Sequence, residues 1–373
     1  MKIIIICNSS SGLCEFRGML IKRLINNGNE VYAILPHSDD SIEKTARNNL
    51  EGIGCKTLPV TLKCREINII DELKLLWFIR KIIKREKPDL VITYTIKPNI
   101  YGGIVCRLLR VPYVANITGL GTIFQSEGVL REIVTTLYKI ALKKAKVVFF
   151  ENGENRQTFL ELGIVEKEQT HLLNGAGVDL EKFSYQPYPP EEDEEIRFLF
   201  IGRIMHEKGV NELFAAMRML HEEGIPCSLD VVGRYEEDYA GTIDCCAARG
   251  WLFYHGYQGD VRPYIANCHC FVLPSWHEGM ANTILECAAS GRPVITSNIS
   301  GCREGVIDRQ TGLLHEVKNA FELYRNMKRF CFTSFKEREK MGIKGREFMQ
   351  EVFDKEKVVD ETIKTIMEKY NEV

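Results

Sequence analysis

The feature that most constrains the fold is an alternation of short apolar runs with amphipathic segments, which occurs twice along the chain. Each series opens on an apolar run typical of a strand buried on both faces, at residues 2–7 and at residues 196–201. Strands that alternate with helices need crossover connections, which produce parallel sheets. The sequence therefore predicts an α/β protein of two tandem doubly wound, Rossmann-like domains facing across a cleft, where the ligand is expected to bind.

An acidic segment with three prolines, residues 185–195, separates the two series. We interpret it as a linker because it has little to bury. The domains are expected at residues 1–185 and 186–350. Residues 351–373 are expected to form a last helix that crosses back onto the first domain.

Composition limits the class of protein. No apolar run approaches the roughly 18–20 residues of a membrane span, and residues 1–30 lack a signal-peptide pattern. The thirteen cysteines are scattered, many of them inside apolar runs, as expected of reduced thiols and not of a disulfide framework. These features predict a cytoplasmic protein.

The net charge of −2 conceals an asymmetry. Residues 1–150 hold 23 basic against 13 acidic side chains, which predicts an anionic partner: nucleic acid, a membrane surface or a phosphorylated substrate. Two basic stretches with interleaved apolar residues, 74–87 and 139–146, fit an anionic membrane surface. They fit equally well helices whose apolar face is core and whose lysines are solvated. No nucleic-acid-binding motif accompanies the charge, which disfavours nucleic acid.

Two motifs in the second domain carry chemistry. Glu278 and Glu286 lie eight residues apart across a loop-to-helix junction, whose backbone N–H groups suit an anion or hydroxyl acceptors. Arg203 and Lys208 lie in a loop between a strand and a helix, which is the expected place for a diphosphate. Taken alone, that loop is better explained as a solvated basic surface.

Together these motifs resemble the retaining glycosyltransferases of family 4 over essentially the whole chain. The motifs are E-G-M-x5-E from Glu278, G-R-x4-K-G from Gly202, and G-A-G-V-D at residues 175–179. The first domain is similar to bacterial enzymes that build polyprenyl-diphosphate-linked oligosaccharides for capsule, O-antigen or glycoprotein assembly. That finer match consists of residues 16–17, 95–99, 118–121 and 301–304.

The resemblance implies the GT-B fold and a hexosyltransferase that moves a sugar, an N-acetylhexosamine, from a UDP-sugar to a hydroxyl of a lipid-linked saccharide. It implies retention of configuration and catalysis without a metal or other cofactor, and the sequence contains no D-x-D motif that would hold a divalent ion. It also implies a cytoplasmic enzyme, peripheral on the inner face of the cell membrane.

The resemblance also assigns residue roles. Arg203 and Lys208 would hold the donor diphosphate, Glu286 the ribose and Glu278 the donor sugar; Arg203, Lys208 and Glu278 are the expected catalytic residues. Further expected donor contacts are Ser10, Ser11, Gly12, Gly202, His255, Gly256, Tyr257, Gly279, Met280, Ala281, Asn282 and Thr283. Expected acceptor contacts are Arg17, Lys97, Thr118 and Gly119, although surface salt bridges would equally explain Arg17 and Lys97.

Three alternatives stay open at this stage. A UDP-sugar 2-epimerase shares the two-domain fold, but the two donor-site motifs are transferase features. A nicotinamide dehydrogenase would need G-x-G-x-x-G after a strand, which neither strand-end loop supplies. A non-catalytic partner subunit is disfavoured because the motif residues are intact.

Overall fold

A computed structural model describes residues 1–60, 68–121, 124, 128–191 and 195–372. The chain divides into two compact units, one formed by Met1–Ala176 with Glu356–Val373 and the other by Gly177–Lys355. The division after Ala176 lies nine residues before the expected boundary at 185/186. The chain returns to the first unit at Glu356, a few residues after the expected start of the last segment at 351.

The described residues of the first unit form a seven-stranded parallel sheet. Its strands are β1 (Lys2–Ile6), β2 (Glu30–Pro36), β3 (Lys56–Val60), β4 (Leu90–Tyr94), β5 (Tyr113–Ile117), β6 (Val148–Phe150) and β7 (Thr170–Leu172). They lie in the order β3-β2-β1-β4-β5-β6-β7. The central strand β1 pairs with β2 on one side and β4 on the other, and its isoleucines are fully buried.

Six helices between the strands cover both faces of this sheet in the described residues. They are α1 (Ser10–Asn26), α2 (Ser41–Gly52), α3 (Ile69–Glu86), α4 (Ile96–Leu109), α5 (Val129–Leu142) and α6 (Gly153–Glu161). One apolar cluster joins α3, α4 and α5 to the sheet, and a second joins α1, α2 and the last helix of the chain. The two clusters correspond to the two faces of a doubly wound sheet.

The second unit repeats the pattern with six parallel strands among its described residues. The strands are β8 (Ile196–Ile201), β9 (Cys227–Val232), β10 (Leu252–Tyr254), β11 (Cys270–Leu273), β12 (Val294–Ser297) and β13 (Gly312–His315), in the order β10-β9-β8-β11-β12-β13. The helices are α7 (Val210–Glu222), α8 (Ala240–Ala247), α9 (Arg262–Asn267), α10 (Asn282–Ala289), α11 (Ala320–Cys331) and α12 (Phe335–Val352). The last helix, α13 (Lys355–Asn371), belongs to the first unit from Glu356 onward.

The predicted α/β class with two parallel sheets is confirmed. The strands that sequence reasoning missed are β3, β7 and β13, each of which lies at the edge of its sheet. The edge strands β3 and β7 are incompletely buried, so they lack the continuous apolar run of a central strand, and β3 carries a proline, Pro59. β13 is largely buried but is only four residues long and begins with a glycine. Within the described parts of the chain, no helix combines the length and the hydrophobicity needed to span a bilayer.

The described part of residues 185–195 belongs to the second unit and packs within it, so it is not an unattached linker. Tyr188 is buried, and its hydroxyl donates to the carbonyl of His269 at 3.0 Å. The guanidinium of Arg292 is fully buried and donates to the carbonyls of Gln186 and Pro187. The composition did not reveal this packing, because its partners His269 and Arg292 lie 81 and 106 residues away along the chain.

Candidate active site

The strand order of the second unit reverses between β8 and β11. Loops that follow these two strands leave in opposite directions, which opens a crevice at the carboxyl edge of the sheet, where α/β folds bind ligands. The loop with Arg203 and Lys208 follows β8, and the loop with Glu278 follows β11. The structure therefore brings the two sequence-predicted motifs together at this switch point.

Glycines bring the backbones of these loops into contact. Gly209 has φ 71°, and a Cβ placed there would lie 2.0 Å from the carbonyl oxygen of Pro274. Gly233, which follows β9, has φ 153°, and its Cβ would lie 1.8 Å from the carbonyl oxygen of Gly202. No residue with a side chain fits either position, so the close approach of the loops depends on glycine.

Lys208 and Glu278 form an ion pair at the switch point. The Lys208 ammonium donates to Oε1 of Glu278, and the Ser275 hydroxyl donates to the same oxygen at 2.9 Å. The two charged side chains are only 16% and 13% exposed, and Ser275 is fully buried. In so little water, each charge depends on the other, and both are held in place.

Arg203 differs from Lys208 in its surroundings. Its side chain is 54% exposed, and Oε2 of Glu236 lies 3.9 Å from its Nη1. An ion pair of this length in water holds a side chain weakly. The guanidinium therefore stays exposed to an incoming anion, at the carboxyl end of β8.

The N-terminus of α10 provides the next part of the site. Asn282 and Thr283 form its first turn, and Glu286 follows one turn later, half-buried. Oδ1 of Asn282 is buried without a hydrogen-bond partner among the described residues, as expected of a group that meets a ligand.

Two further expected donor contacts, the backbones of Met280 and Ala281, lie just before this helix. The N–H of Ala281 donates to the carbonyl of Gly301 at 2.7 Å, so it already has an acceptor within the protein. The side chains of Ala281 and Met280 are buried in the core of the second unit and stabilise the loop. A contact of the Met280 backbone with the donor stays a prediction.

The carboxylate of Glu304 stabilises the loop at Ser300 and Gly301 through hydrogen bonds, a role that sequence reasoning missed. Its carboxylate accepts from the Gly301 N–H at 2.6 Å and from the Ser300 hydroxyl at 2.8 Å. Gly301 has φ 87°, and a Cβ there would lie 2.6 Å from the carbonyl oxygen of Glu278. The family match at residues 301–304 was the available signal, and the structure supplies its physical reason.

His255, Gly256 and Tyr257 follow β10 at the same carboxyl edge. Gly256 accepts from the N–H of Gly233 at 2.8 Å, so the loops after β8, β9 and β10 touch one another through Gly233. Nε2 of His255 lies 2.5 Å from a carboxylate oxygen of Asp230. Tyr257 is half exposed, and the Arg234 guanidinium lies over its ring, 4.4 Å from the ring centre.

His277 lies beside the ion pair. Burial lowers the pKa of His277, while the nearby carboxylates of Glu207 and Glu278 act in the opposite direction. Its Nε2 is 3.4 Å from Oε2 of Glu207. A lowered pKa keeps the imidazole neutral at pH 7, so it adds no positive charge for a phosphate.

In the first unit, the donors expected to close over a phosphate already hold a carboxylate. Oε2 of Glu43 accepts from the Ser10 N–H at 2.6 Å, and Oε1 accepts from the hydroxyls of Ser9 at 2.9 Å and Ser11 at 2.5 Å. Burial raises the pKa of Glu43, but the hydrogen bonds from Ser11, Ser10 and Ser9 outweigh it and leave the pKa lowered. Glu43 therefore fills the anion position at the N-terminus of α1, while the Gly12 N–H donates to the Ser9 hydroxyl at 3.0 Å.

Both basic residues expected to bind the acceptor are found in salt bridges. Arg17 donates to Glu151, with both side chains about nine-tenths buried, and its guanidinium lies 5.0 Å from the centre of the Tyr94 ring. Nζ of Lys97 lies 2.6 Å from a carboxylate oxygen of Glu72. Each of these residues therefore has a carboxylate partner, but neither pair is the exposed surface salt bridge of the alternative interpretation, and contact with the acceptor stays a prediction for both. Thr118 and Gly119 follow β5 at the same carboxyl edge, partly buried.

Within the described ranges, no group of three or more His, Cys, Asp and Glu side chains is arranged to hold a metal ion. Cys268 and Cys270, which flank His269, are fully buried in the core of the second unit.

Comparisons with known proteins match both halves of the chain. A family model described as "Glycosyl transferase 4-like" matches residues 19–152, and one described as "Glycosyl transferases group 1" matches residues 195–333. The chain is 27% identical over 339 residues to the N,N'-diacetylbacillosaminyl-diphospho-undecaprenol alpha-1,3-N-acetylgalactosaminyltransferase of Campylobacter jejuni, with 87% of each chain covered. It is 31% identical over 277 residues to the UDP-Gal:alpha-D-GlcNAc-diphosphoundecaprenol alpha-1,3-galactosyltransferase of Escherichia coli, covering 69% of this chain and 70% of that one.

A solved structure shares the fold over nearly the full length. Anabaena HepE in complex with UDP-glucose superposes with a TM-score of 0.80 at 17% identity, covering 99% of this chain and 100% of that one. Two parallel-sheet units with this likeness identify the GT-B fold. With the E-G-M-x5-E and G-R-x4-K-G motifs meeting at the switch point of the second sheet, the chain belongs to the group 1 glycosyltransferases and is a hexosyltransferase.

Proposed function

We propose that this glycosyltransferase transfers a sugar from a UDP-sugar to a hydroxyl of a polyprenyl-diphosphate-linked saccharide, with retention of configuration and without a metal ion. The observation that carries the donor assignment is the pair of cations, Arg203 and Lys208, at the carboxyl edge of β8. The names of the Campylobacter and Escherichia relatives support the acceptor class, since both act on undecaprenyl-diphosphate-linked sugars. The HepE complex and the Escherichia relative support a UDP-linked donor.

The two cations have different roles in this proposal. Arg203 is exposed and can meet the diphosphate as it arrives. Lys208 is held by Glu278 in a nearly water-free position, so its charge acts on the leaving phosphate without reorganisation. Glu278, fixed by Ser275, keeps its second oxygen to orient hydroxyls of the donor sugar. Glu286 on α10 accepts from the ribose hydroxyls.

The reaction then needs little covalent chemistry from the protein. The bond between the anomeric carbon and the phosphate oxygen breaks, and its electron pair stays on the phosphate. The acceptor hydroxyl oxygen bonds to the anomeric carbon from the same face, and its proton passes to the leaving phosphate. The protein orients the two substrates and neutralises the negative charge that develops.

The donor sugar is proposed to be an N-acetylhexosamine. The Campylobacter relative, named as an N-acetylgalactosaminyltransferase, supports this choice, while the Escherichia relative is named as a galactosyltransferase. UDP-GalNAc, UDP-GlcNAc and UDP-galactose are therefore the donors to compare first.

Calorimetric titration with UDP and GDP tests the donor site in the full chain. Arg203→Ala and Glu286→Ala are each expected to weaken UDP binding about ten- to a hundredfold, the usual cost of one charge-assisted contact. Arg309→Ala is the matched control, because its side chain is 72% exposed in the same unit and lies outside the site. UDP binding that is indifferent to both site variants would overturn the donor assignment.

A transfer assay tests the reaction. Product is expected from a UDP-sugar and a synthetic polyprenyl-diphosphate-linked monosaccharide, undiminished by EDTA, with the anomeric configuration of the donor retained by NMR. Conversion of the UDP-sugar to its 2-epimer without acceptor would instead establish an epimerase. UDP binding without consumption of any donor would establish a non-catalytic subunit.

A further inference from the structure

A cavity of about 540 Å³ lies in the second unit, at the edge of the sheet opposite to the candidate active site. It is lined by β13 and the residues before it, by the C-terminal end of α11 and by the first half of α12. The strands of this sheet are parallel and begin at one edge, whereas the loops with Lys208 and Glu278 follow strands at the other edge. The cavity at the beginning of β13 is therefore a separate feature of the same unit.

Part of the lining is apolar. Leu313 and Phe330 are almost completely buried and Met341 is half-buried, so these side chains form a fixed wall. Phe332 belongs to the same lining, but its ring is 72% exposed. An exposed aromatic ring beside a cavity offers a flat apolar face to a ligand.

The charged part of the lining is mostly cationic. Arg329 and Lys340 are exposed, and Lys344 is half-buried. No carboxylate of the described residues lies within salt-bridge distance of these three side chains. Lys340 and Lys344 are four residues apart, so they project from the same side of α12. Three cations without a paired carboxylate in the described part of the chain therefore line one cavity.

Glu337 is the carboxylate among the described lining residues. Its Oε2 accepts from the Ser334 hydroxyl at 2.7 Å and from the Ser334 N–H at 3.3 Å, so it caps α12. These hydrogen bonds from Ser334 lower the pKa of Glu337. The carboxylate is therefore charged at pH 7 and engaged with the helix end, and the lining keeps a positive balance.

Arg338 adds a cation close to the cavity. Its guanidinium lies 5.9 Å from the centre of the Phe330 ring, which lines the cavity. Its Nε and Nη1 are buried and have no hydrogen-bond partner among the described residues. Protein screens a charge less than water does, so this guanidinium raises the positive potential of the cavity. A ligand with a negative charge is therefore favoured.

We propose that this cavity is a second ligand site and that it binds a small sugar phosphate. The phosphate group would lie among Arg329, Lys340 and Lys344, because cations from two helices can surround an anion that each would hold weakly alone. Arg309 also lines the cavity, but it is 72% exposed and lies 3.6 Å from Asp308, and it is not among the proposed contacts.

The remaining lining suits the sugar. Phe332 can pack against the apolar face of a sugar ring, and the side chains of Gln310 and Thr333 can meet its hydroxyls. The volume of about 540 Å³ is larger than inorganic phosphate needs and lies in the usual range of small-molecule sites. Charge and size together therefore favour a phosphorylated small molecule over a bare anion. This inference goes beyond the proposed function, because it depends on no residue of the donor site.

Calorimetric titration of the full chain tests the proposal, with excess UDP present so that the candidate donor site is occupied. Glucose 1-phosphate is compared with glucose and with inorganic phosphate. Glucose 1-phosphate is expected to bind at least roughly tenfold more tightly than either, and added salt should weaken its binding. Binding no tighter than that of inorganic phosphate, or binding abolished by UDP, would overturn the proposal.

Three variants locate the site. Lys340→Met with Lys344→Met should weaken glucose 1-phosphate binding at least roughly tenfold, because two charge-assisted contacts are lost while the aliphatic stems remain. Phe332→Ser should weaken it about three- to tenfold. Glu337→Gln should strengthen it about two- to fivefold, because a glutamine can keep the cap of α12 while the negative charge is removed. Weaker binding in Glu337→Gln would overturn the assignment of the cavity to an anion.

The matched control is Arg218→Met with Arg249→Met, which removes two exposed cations of the same unit. Both charges lie near Cys246 of α8, and α8 packs on β10, at the other end of the strand order from β13. This variant should bind glucose 1-phosphate like the wild type, and losses equal to those of the lysine variant would overturn the proposal. The lysine variant should keep its affinity for UDP, which separates this inference from the proposed function.

Discussion

Lys208 and Glu278 are 70 residues apart in the sequence, yet they share one charge-neutral position where the strand order of the second sheet reverses. Lys208 follows β8 and Glu278 follows β11. The cation proposed to meet the leaving phosphate and the carboxylate proposed to orient the sugar are therefore energetically coupled. A substitution of either residue should change the energetic contribution of the other.

The first prediction concerns this coupling. Lys208→Met and Glu278→Gln should each lower the free energy of unfolding by about 2–4 kcal/mol, because each leaves a buried charge without its partner. The double variant should cost clearly less than the sum of the two, as measured from urea unfolding of the full chain. UDP affinity should fall about ten- to a hundredfold in Lys208→Met.

If the losses in the free energy of unfolding of the two single variants were additive in the double variant, the pairing of Lys208 with Glu278 would be contradicted. Lys328→Met with Glu223→Gln is a suitable control cycle, because that ion pair in the same unit is 38% and 42% exposed. Its coupling should be much smaller than that of Lys208 with Glu278, because water screens both charges.

The second prediction concerns the contact between the loops. Gly209 and Gly224 have the same φ of 71°, but a Cβ at Gly224 meets nothing within 4 Å. Gly224→Ala should lower the free energy of unfolding by about 1–2 kcal/mol, which is the cost of placing an alanine in a left-handed backbone conformation. Gly209→Ala should cost about 2–3 kcal/mol more, because its methyl group collides with Pro274, and it should weaken UDP binding. Equal urea midpoints for the two variants would show that the loops do not meet as described.

The third prediction concerns pH. The folded state lowers the pKa of Glu43, so its stabilising hydrogen bonds are complete above the unfolded pKa of about 4.3 and are lost as the pH falls through the lower folded value. Glu43→Gln should therefore cost about 1 kcal/mol at pH 7, since the carboxylate caps α1 while partly in water. This difference from the wild type should shrink as the pH falls below about 4.3 and should disappear once the pH is below the lowered folded pKa. A difference that grows on acidification would have the wrong sign.

The fourth prediction concerns the acceptor. Arg17→Gln combined with Glu151→Gln removes both charges of the buried pair and leaves no unpaired ion. If Arg17 meets the acceptor diphosphate, the KM for the lipid-linked acceptor should rise at least tenfold, while the affinity for UDP stays unchanged. Arg23→Gln on the outer side of α1, paired with exposed acids of α13, is the control. An unchanged KM for the acceptor would show that the Arg17–Glu151 pair has only a structural role.

Much of the fold could be predicted from the sequence because burial leaves a local signature. The isoleucines of β1 and the apolar run of β8 are consecutive, and both strands are central in their sheets. The edge strand β3, with Pro59, lacks that signature. The glycosyltransferase family was likewise recognisable, because its motifs depend on order and spacing along the chain.

The partners of the charged residues could not be predicted in the same way. Glu43 caps the helix that begins at Ser10, and Glu151 neutralises Arg17 from 134 residues away. Such pairs depend on which strand ends become neighbours, and a sheet places strands side by side in an order unrelated to their distance in sequence.

The sequence by itself determined the two parallel-sheet units, the family and the residue types of the donor site. Only the tertiary structure decided which of these charges are paired, which N–H groups are already occupied, and which apolar residues of α3 and α5 remain outside the core. The physical reason is that periodicity and spacing are properties of neighbouring residues, whereas burial and charge compensation arise when distant segments pack together.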